Sequence, residues 1–224
     1  VFAGALYDTA VYVYTLRNIG TQNEDLGLTV INYLEDKHSD FSPQKILDMG
    51  CGVGHSTVPY RDAFPKAEVF GIDVGAPMLR YAHARAESME KAIHFEQRDA
   101  ENTGFPDASF DLIVSHILFH ETSAKAVPAL MRESYRLLKP GGIMVHVEVP
   151  AFEKFFKEPY GQFARDWSTH YNAEPFWGKL HEMDLTREAA CAGFAPGRVH
   201  EEEAPSALGG SLYRASWHMI RAQK

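Results

Sequence analysis

Apolar residues along the first two thirds of the chain follow two alternating rhythms. Short dense runs, "KILDMG" at 45–50, "AEVFGID" at 67–73, "IHFEQRD" at 93–99, "SFDLIVSHI" at 109–117 and "IMVHVEV" at 143–149, read as strands. The fourth is apolar enough to be buried on both faces, as in a parallel sheet. Between the strands the spacing widens to that of helices. Leu26, Val30, Tyr33 and Leu34 share one helical face, as do Leu79, Ala82, Ala86 and Met89. "HSTVPYRDAF" at 55–64 and "SAKAVPALMRESYRLL" at 123–138 supply two more helices, with Pro59 tolerated in a first turn. Thr21 and Glu24 have capping-box spacing ahead of the first of these helices. Strands that alternate with helices of this length need right-handed crossovers and predict an α/β chain around a doubly wound, mostly parallel sheet.

After residue 150 the rhythm changes. Residues 151–183 are aromatic and irregular, "TREAACAGF" at 186–194 is a short helix, and "GRVHEEEA" with "LYRASWHMIRA" forms two strands around "PSALGG". An antiparallel C-terminal pair brings the sheet to seven strands. We find no repeat or linker, so the chain is read as one domain. It comprises an N-terminal helical strap and helix (1–40), a core (41–150), an insertion (151–183) and a C-terminal helix with hairpin (184–224).

Composition narrows the function. Hydrophobic residues make up 45% of 224, enough for a large core, and the net charge of −8 disfavours a nucleic-acid partner. Two cysteines, Cys51 and Cys191, suit a reducing, cytoplasmic compartment rather than a disulfide framework. No apolar run reaches membrane-spanning length. The apolar start, "VFAGALYDTAVYVYTLRN", lacks the basic front of a signal peptide. A homodimer is left open.

The chemistry gathers at "ILDMGCGVGHS", where Gly50, Gly52 and Gly54 follow Asp48 at the end of a strand. Ligands of doubly wound sheets sit at such strand tips. A dinucleotide fingerprint would need its third glycine at 55, which is His55. The sequence instead resembles the class I S-adenosylmethionine-dependent methyltransferases, through "LDMGCGVG" at 47–54, "GID" at 71–73, "RDAENTGFPDASFDLIVSH" at 98–116 and "LLKPGG" at 137–142, in that family's order.

The resemblance implies a Rossmann-like methyltransferase fold with S-adenosylmethionine as cofactor. Asp73 would hold the ribose diol, Asp99 and the Ala100 backbone the adenine, and Asp48 the cofactor's ammonium. Gly50, Cys51 and Gly52 would line the methionine portion, His116 would touch the cofactor, chiefly through its backbone, and Tyr14 of the strap would reach its carboxylate. Cys51 also reads as a small buried residue. The acceptor belongs beyond the fourth and fifth strands. There His120 is the candidate base, and Glu148 shares a strand face with His146, where the two could satisfy each other. Glu121 fits a helix entry. Phe152, Phe156, Trp167 and Trp177 are the candidate acceptor walls, although Phe152, Phe156, Tyr160, Phe163 and Trp167 recur at helical spacing, which for any single aromatic favours an amphipathic helix packed on the sheet. No metal site is expected, because no His/Cys cluster has the spacing for one. The expected activity is methyl transfer to a small, largely apolar or aromatic acceptor at oxygen or carbon rather than nitrogen. The rivals are a cofactor-binding protein without transfer and a nicotinamide-dependent oxidoreductase.

Overall fold

The computed structural model describes residues 1–150, 158–171, 173–209 and 216–224. The five runs read as strands become β1 (Lys45–Met49), β2 (Glu68–Asp73), β3 (His94–Gln97), β4 (Phe110–His116) and β5 (Leu138–Glu148). The tail adds β6 (Val199–Pro205) and β7 (Ser216–Gln223). One sheet results, in the order β3-β2-β1-β4-β5-β7-β6. The first five strands are parallel, and β7 runs antiparallel to both β5 and β6. The chain leaves β1 toward β2 on one side and returns to β4 on the other. The tips of β1 and β4 therefore flank the switch point, where no crossover covers the crevice.

Strands β1 and β4 lie at the sheet's centre, and their side chains alternate between two cores. Ile46, Leu112 and Val114 face one layer with Val30 and Leu34. Leu47, Ile113 and Met144 face the other with Leu130, Met131 and Ala189. These are the dense apolar runs of the sequence, and burial on both faces is why they do not alternate with polar residues. Each fully buried aliphatic side chain contributes about 1.5–3 kcal/mol.

Eight helices are described: α1 (Phe2–Tyr14), α2 (Asp25–Lys37), α3 (Thr57–Ala63), α4 (Ala76–Ser88), α5 (Ala126–Leu137), α6 (Tyr160–Tyr171), α7 (Trp177–His181) and α8 (Leu185–Ala192). The N-terminal strap is α1, seated on α4. At Gly4 the helices come so close that a β-carbon would lie 2.3 Å from Tyr81 Cβ. Pro59 does fall in the first turn of α3. The capping box does not form: Glu24 is itself the N-cap, and its carboxylate accepts the Gln22 amide at 2.6 Å, which closes the preceding turn instead. "KPGG" is not the stop of α5: the helix ends at Leu137, and "KPGG" lies inside β5, which starts at Leu138 and carries a register shift opposite Phe110 and Leu112.

The β6–β7 pair is tied back to α2 by one acid. Asp25, fully buried, accepts from Ser206 Oγ at 2.8 and 2.9 Å, the Leu208 amide at 2.8 Å and Trp217 Nε1 at 2.7 Å. Among the described residues no helix is long and apolar enough to cross a membrane.

Candidate active site

The glycine cluster after β1 is a tight turn in which Gly50, Gly52 and Gly54 all take positive φ, at 70°, 54° and 79°. Side chains with a β-carbon rarely adopt that region, so three glycines let the main chain fold back beside the strand tip. Above the turn opens a cavity of about 270 Å³. The turn and the tips of β1 and β4 make its floor, α1 makes one wall with Tyr7, Val11 and Tyr14, and Trp177 and Trp217 make the opposite one.

The floor is a closed polar network. Asp48 is buried, and its Oδ2 accepts from Thr57 Oγ1 at 2.6 Å. Its Oδ1 pairs with His116 Nδ1 at 3.2 Å, while Tyr60 Oη meets His116 Nε2 at 3.0 Å. Burial, with Asp48 nearby, drives the Tyr60 hydroxyl well above its usual range, so it keeps its proton. The His116 ring is thus held by β1 and α3. Burial, followed by the charges of Asp48 and Asp73, likewise raises the Cys51 thiol well above its ordinary value, making it an inert buried residue rather than a nucleophile.

Asp73, half-buried at the tip of β2, receives the Gly52 amide on Oδ2 at 2.9 Å and the Gly75 amide on Oδ1 at 2.7 Å. It ties the glycine turn to the start of α4, and each carboxylate oxygen keeps a second lone pair. Asp99 is exposed and accepts the Glu101 amide at 2.9 Å, the geometry of a turn acid. Asp73, Asp99 and half-buried Ala100 all lie outside the cavity lining, on the β2–β3 side.

At the other end stands His120, in a short 3-10 turn (Phe119–Glu121) after β4. Its Nδ1 pairs with Glu148 Oε2 at 2.7 Å, and Glu148 Oε1 accepts the Phe119 amide at 2.5 Å. Glu148 is a buried residue at the end of β5. With Nδ1 held, Nε2 is the nitrogen turned to the cavity. Around it stand Glu174 Oε2 at 3.7 Å and Glu121 Oε1 at 3.8 Å, and Trp177 stacks on the ring at 5.5 Å between centroids. Burial pushes the His120 imidazole toward its neutral form. The Glu148 hydrogen bond and the charges of Glu148, Glu174 and Glu121 outweigh it, and the net shift is upward. The donor atoms of His120, Glu121 and Glu174 lie within 4.8 Å of one another, a spacing a metal ion could use.

His146 and Glu148 share a face of β5 but not each other. His146 is satisfied by Ser115 Oγ at 2.6 Å and Ser134 Oγ at 3.4 Å. Burial, with His116 nearby, lowers its pKa to about 3.

The cavity thus brings together Asp48, Gly50, Cys51, Gly52, His116, His120, Trp177 and Tyr14 of the expected set, with Glu148 directly behind His120. Tyr14 is largely exposed at the rim, and Tyr7 sits deeper, its ring 3.9 Å from where a Gly52 β-carbon would be. Burial, then the charges of Glu121 and Asp73, raises the Tyr7 hydroxyl. Trp167 is a correction: with Tyr160, Phe163 and Tyr171 it forms a solvent-facing stripe of α6 and does not line the cavity. Phe152 and Phe156 fall outside the described residues. Sequence reasoning missed Glu174, Trp217 and His55. His55 meets Asp8 of α1 at 2.6 Å, and Asp8 also accepts from Tyr81 Oη at 2.7 Å, so one carboxylate clamps α1 to both the glycine turn and α4.

Comparisons with known proteins find a methyltransferase by sequence and the same fold by structure. Residues 46–142 match the family model described as a methyltransferase domain. The chain is 30% identical to demethylmenaquinone methyltransferase of Thermus thermophilus over 75% of this chain and 71% of that one. It is 32% identical to phosphoethanolamine N-methyltransferase 3 of Arabidopsis thaliana over 57% of this chain, but spans only 29% of that longer protein. Among solved structures, phosphoethanolamine N-methyltransferase 2 of Haemonchus contortus with S-adenosyl-L-methionine bound superposes with a TM-score of 0.70 at 18% identity, covering 97% of this chain and 57% of that one. The PH0226 protein of Pyrococcus horikoshii gives 0.62 at 20% identity, covering 91% and 94%.

Proposed function

Because the chain belongs to the class I S-adenosylmethionine-dependent methyltransferases, we propose that it methylates an oxygen or enol-like carbon of a small, largely apolar or aromatic acceptor. S-adenosylmethionine is the methyl donor and lies along the glycine turn. Asp48 faces its ammonium and Asp73 its ribose hydroxyls, through the lone pairs that the amides of Gly52 and Gly75 leave open. The acceptor occupies the space between the turn and Trp177. One observation carries the reading: a buried Glu148–His120 pair, 2.7 Å apart, with the free ring nitrogen opening onto the cavity beside the cofactor floor.

The reaction is an in-line displacement. The acceptor's lone pair forms the new bond to the methyl carbon, the carbon–sulfur bond breaks with its electrons on sulfur, and the acceptor's proton passes to His120 Nε2. Positioning supplies most of the acceleration, and the base adds about 10²–10⁴. An acceptor that must lose a proton is what a histidine there suits, which favours oxygen or carbon. The two relatives differ in acceptor, by their names a quinone and a phosphate ester. No lysine or arginine is among the described residues of the cavity wall, which supports the neutral ring over the phosphate. Both cysteines are free thiols, in keeping with a reducing, cytoplasmic setting.

The test is turnover of S-adenosylmethionine with a panel of small phenols and enols, with His120→Ala alongside. We expect kcat to fall by about 10²–10⁴ while the cofactor Kd stays unchanged. Undiminished turnover in the variant removes the base. Tight cofactor binding with no demethylated product across the panel makes the protein a binder of the cofactor instead.

A further inference from the structure

Where β4 leaves the sheet, its side chains change sides. From Leu112 onward the strand alternates: Leu112 and Val114 pack with Val30 and Leu34, and Ile113 packs with Leu130 and Met131. The next two residues keep that order. Ser115 Oγ meets His146, which also reaches Ser134 of α5, on the second side, and His116 meets Tyr60 of α3 on the first. A continued strand would send Ile117 to the second core and Leu118 to the first. The opposite occurs: Ile117 packs against the first and Leu118 against the second. The reversal is made at Ile117, whose φ is +61°. Its amide still donates to Val147 O at 2.8 Å, so the turn is pinned to β5.

That conformation is ordinarily glycine's, and the same site uses glycine for it at Gly50, Gly52 and Gly54. Among the described residues Ile117 is the one β-branched side chain held at positive φ, where both of its γ-carbons crowd the backbone. A glycine at 117 would make the same turn and donate to the same Val147 carbonyl. It would bring the 3-10 turn back to Glu148 as well, whose oxygens hold the Phe119 amide and His120 Nδ1. The turn alone therefore does not account for isoleucine. What isoleucine adds is a branched side chain on the cavity side. Ile117 is half-buried and lines the cavity, and it packs against the core layer that contains Val149, Trp177 and Trp217, which line the cavity too. It stands on the β5 side of β4, away from the glycine turn on β1. Backbone strain persists where the surroundings hold it in place, and it collects at binding sites.

We infer that Ile117 is a specificity-determining residue of the acceptor end, its branched side chain being the wall that limits the bulk of the acceptor's apolar body. This rests on the methyltransferase reading of the cavity and narrows the substrate class to compact rings, against rings with branched substituents where they meet Ile117. The strained turn is what delivers the wall: the side chain reaches the cavity only because the backbone reverses at its own α-carbon. An apolar wall discriminates by size, because a group that overfills the space has to displace packed neighbours.

Phenols carrying a methyl or a tert-butyl group at the 2, 3 or 4 position test this. Each is titrated by calorimetry into the protein saturated with S-adenosylhomocysteine, so binding is read without turnover. In Ile117→Ala the affinity for a tert-butylphenol relative to the matching methylphenol should rise by about tenfold at one ring position or more. Ile117→Val, which keeps the branch, should stay within about twofold of the parent ratio. S-adenosylhomocysteine affinity should stay within about twofold in both, which separates an acceptor wall from a cofactor wall. Ile117→Gly relaxes the turn, so it should unfold at a higher urea concentration than Ile117→Ala, the reverse of their order inside a regular strand or helix. The glycine variant also serves for the titrations if the alanine variant does not fold. An unchanged ratio at all three positions, loss of S-adenosylhomocysteine binding, or no detectable binding of any phenol at millimolar concentration overturns the inference. So does a glycine variant that unfolds before the alanine one. Turnover of S-adenosylmethionine is measured separately. A shifted ratio without turnover keeps Ile117 as the wall of a binding site and removes methyl transfer, whereas turnover with an unchanged ratio removes the role of Ile117 alone.

Discussion

The floor of the cavity and its acceptor end are made in opposite ways. On the floor, Asp48, Thr57, His116 and Tyr60 hold one another at 2.6–3.2 Å across strand tips and α3, and the network is complete within the protein. At the acceptor end, His120 Nε2 and the carboxylates of Glu121 and Glu174 stand 3.7–3.8 Å apart, drawn from a short turn and a connecting segment. A network already satisfied cannot adapt without breaking hydrogen bonds, so it suits a ligand that never varies. Groups supplied by a turn and a connecting segment can differ between relatives without disturbing the sheet, which suits the ligand that defines one enzyme against its relatives.

Substitutions can break this contrast at each end. The largest effect in the series is expected at Glu148→Gln, which keeps the volume but removes the charge that orients His120. We expect kcat to fall by about 10², and the pH at which activity rises to move downward, because the imidazole then holds its proton less tightly. An unchanged pH–rate profile would reduce Glu148 to a packing residue. Next is Asp73→Ala, with an expected loss of about tenfold or more in cofactor affinity by calorimetry and a folded protein by circular dichroism. Equal affinity would leave Asp73 as a tie between Gly52 and Gly75 alone. Trp177→Ala should raise the acceptor KM by about tenfold with the cofactor Kd unchanged, whereas Trp167→Ala, on the solvent face of α6, should change neither and shift stability by no more than about 0.5 kcal/mol. Stability, rather than turnover, reads out a pair of opposite pH dependences. His146, lowered to about 3, stays neutral in the fold while the unfolded chain takes up a proton below about 6.5, so its contribution to stability is lost as pH falls from there toward 3. His120, raised above 6.5, stabilises fully on the acid side and loses that contribution as pH climbs through its folded value. Denaturant midpoints of His146→Gln and His120→Gln against the parent chain, between pH 5 and 8, separate the two signs.

How far the sequence reaches follows the same division. The strands, the switch point and the glycine turn are legible because each rests on short-range periodicity or on a backbone demand that only glycine meets. Asp48, His116, His120 and Glu148 sit on or next to strands, so strand order alone carries them to the cavity. Glu174 lies in "NAEPFW", a stretch with no period, and nothing local says that it meets His120 more than fifty residues earlier. Trp167 shows the converse. Its helical stripe is real, but periodicity reveals that a stripe exists and not which side it faces. Thr21 and Glu24 had the letters of a capping box, and a turn closed by the Gln22 amide took the carboxylate first.

Asp25 has a consequence for the order in which the chain can assemble. It stands at the start of α2, yet all its hydrogen-bond donors lie 181 to 192 residues further on, in Ser206, Leu208 and Trp217. While the polypeptide is still emerging from a ribosome, this acid has water as its only partner, and α2 cannot seat itself without stranding a charge. The contacts that satisfy the start of α2 therefore wait on β7, whose Trp217 lies 192 residues further along the chain, a long-range closure of the kind that slows folding.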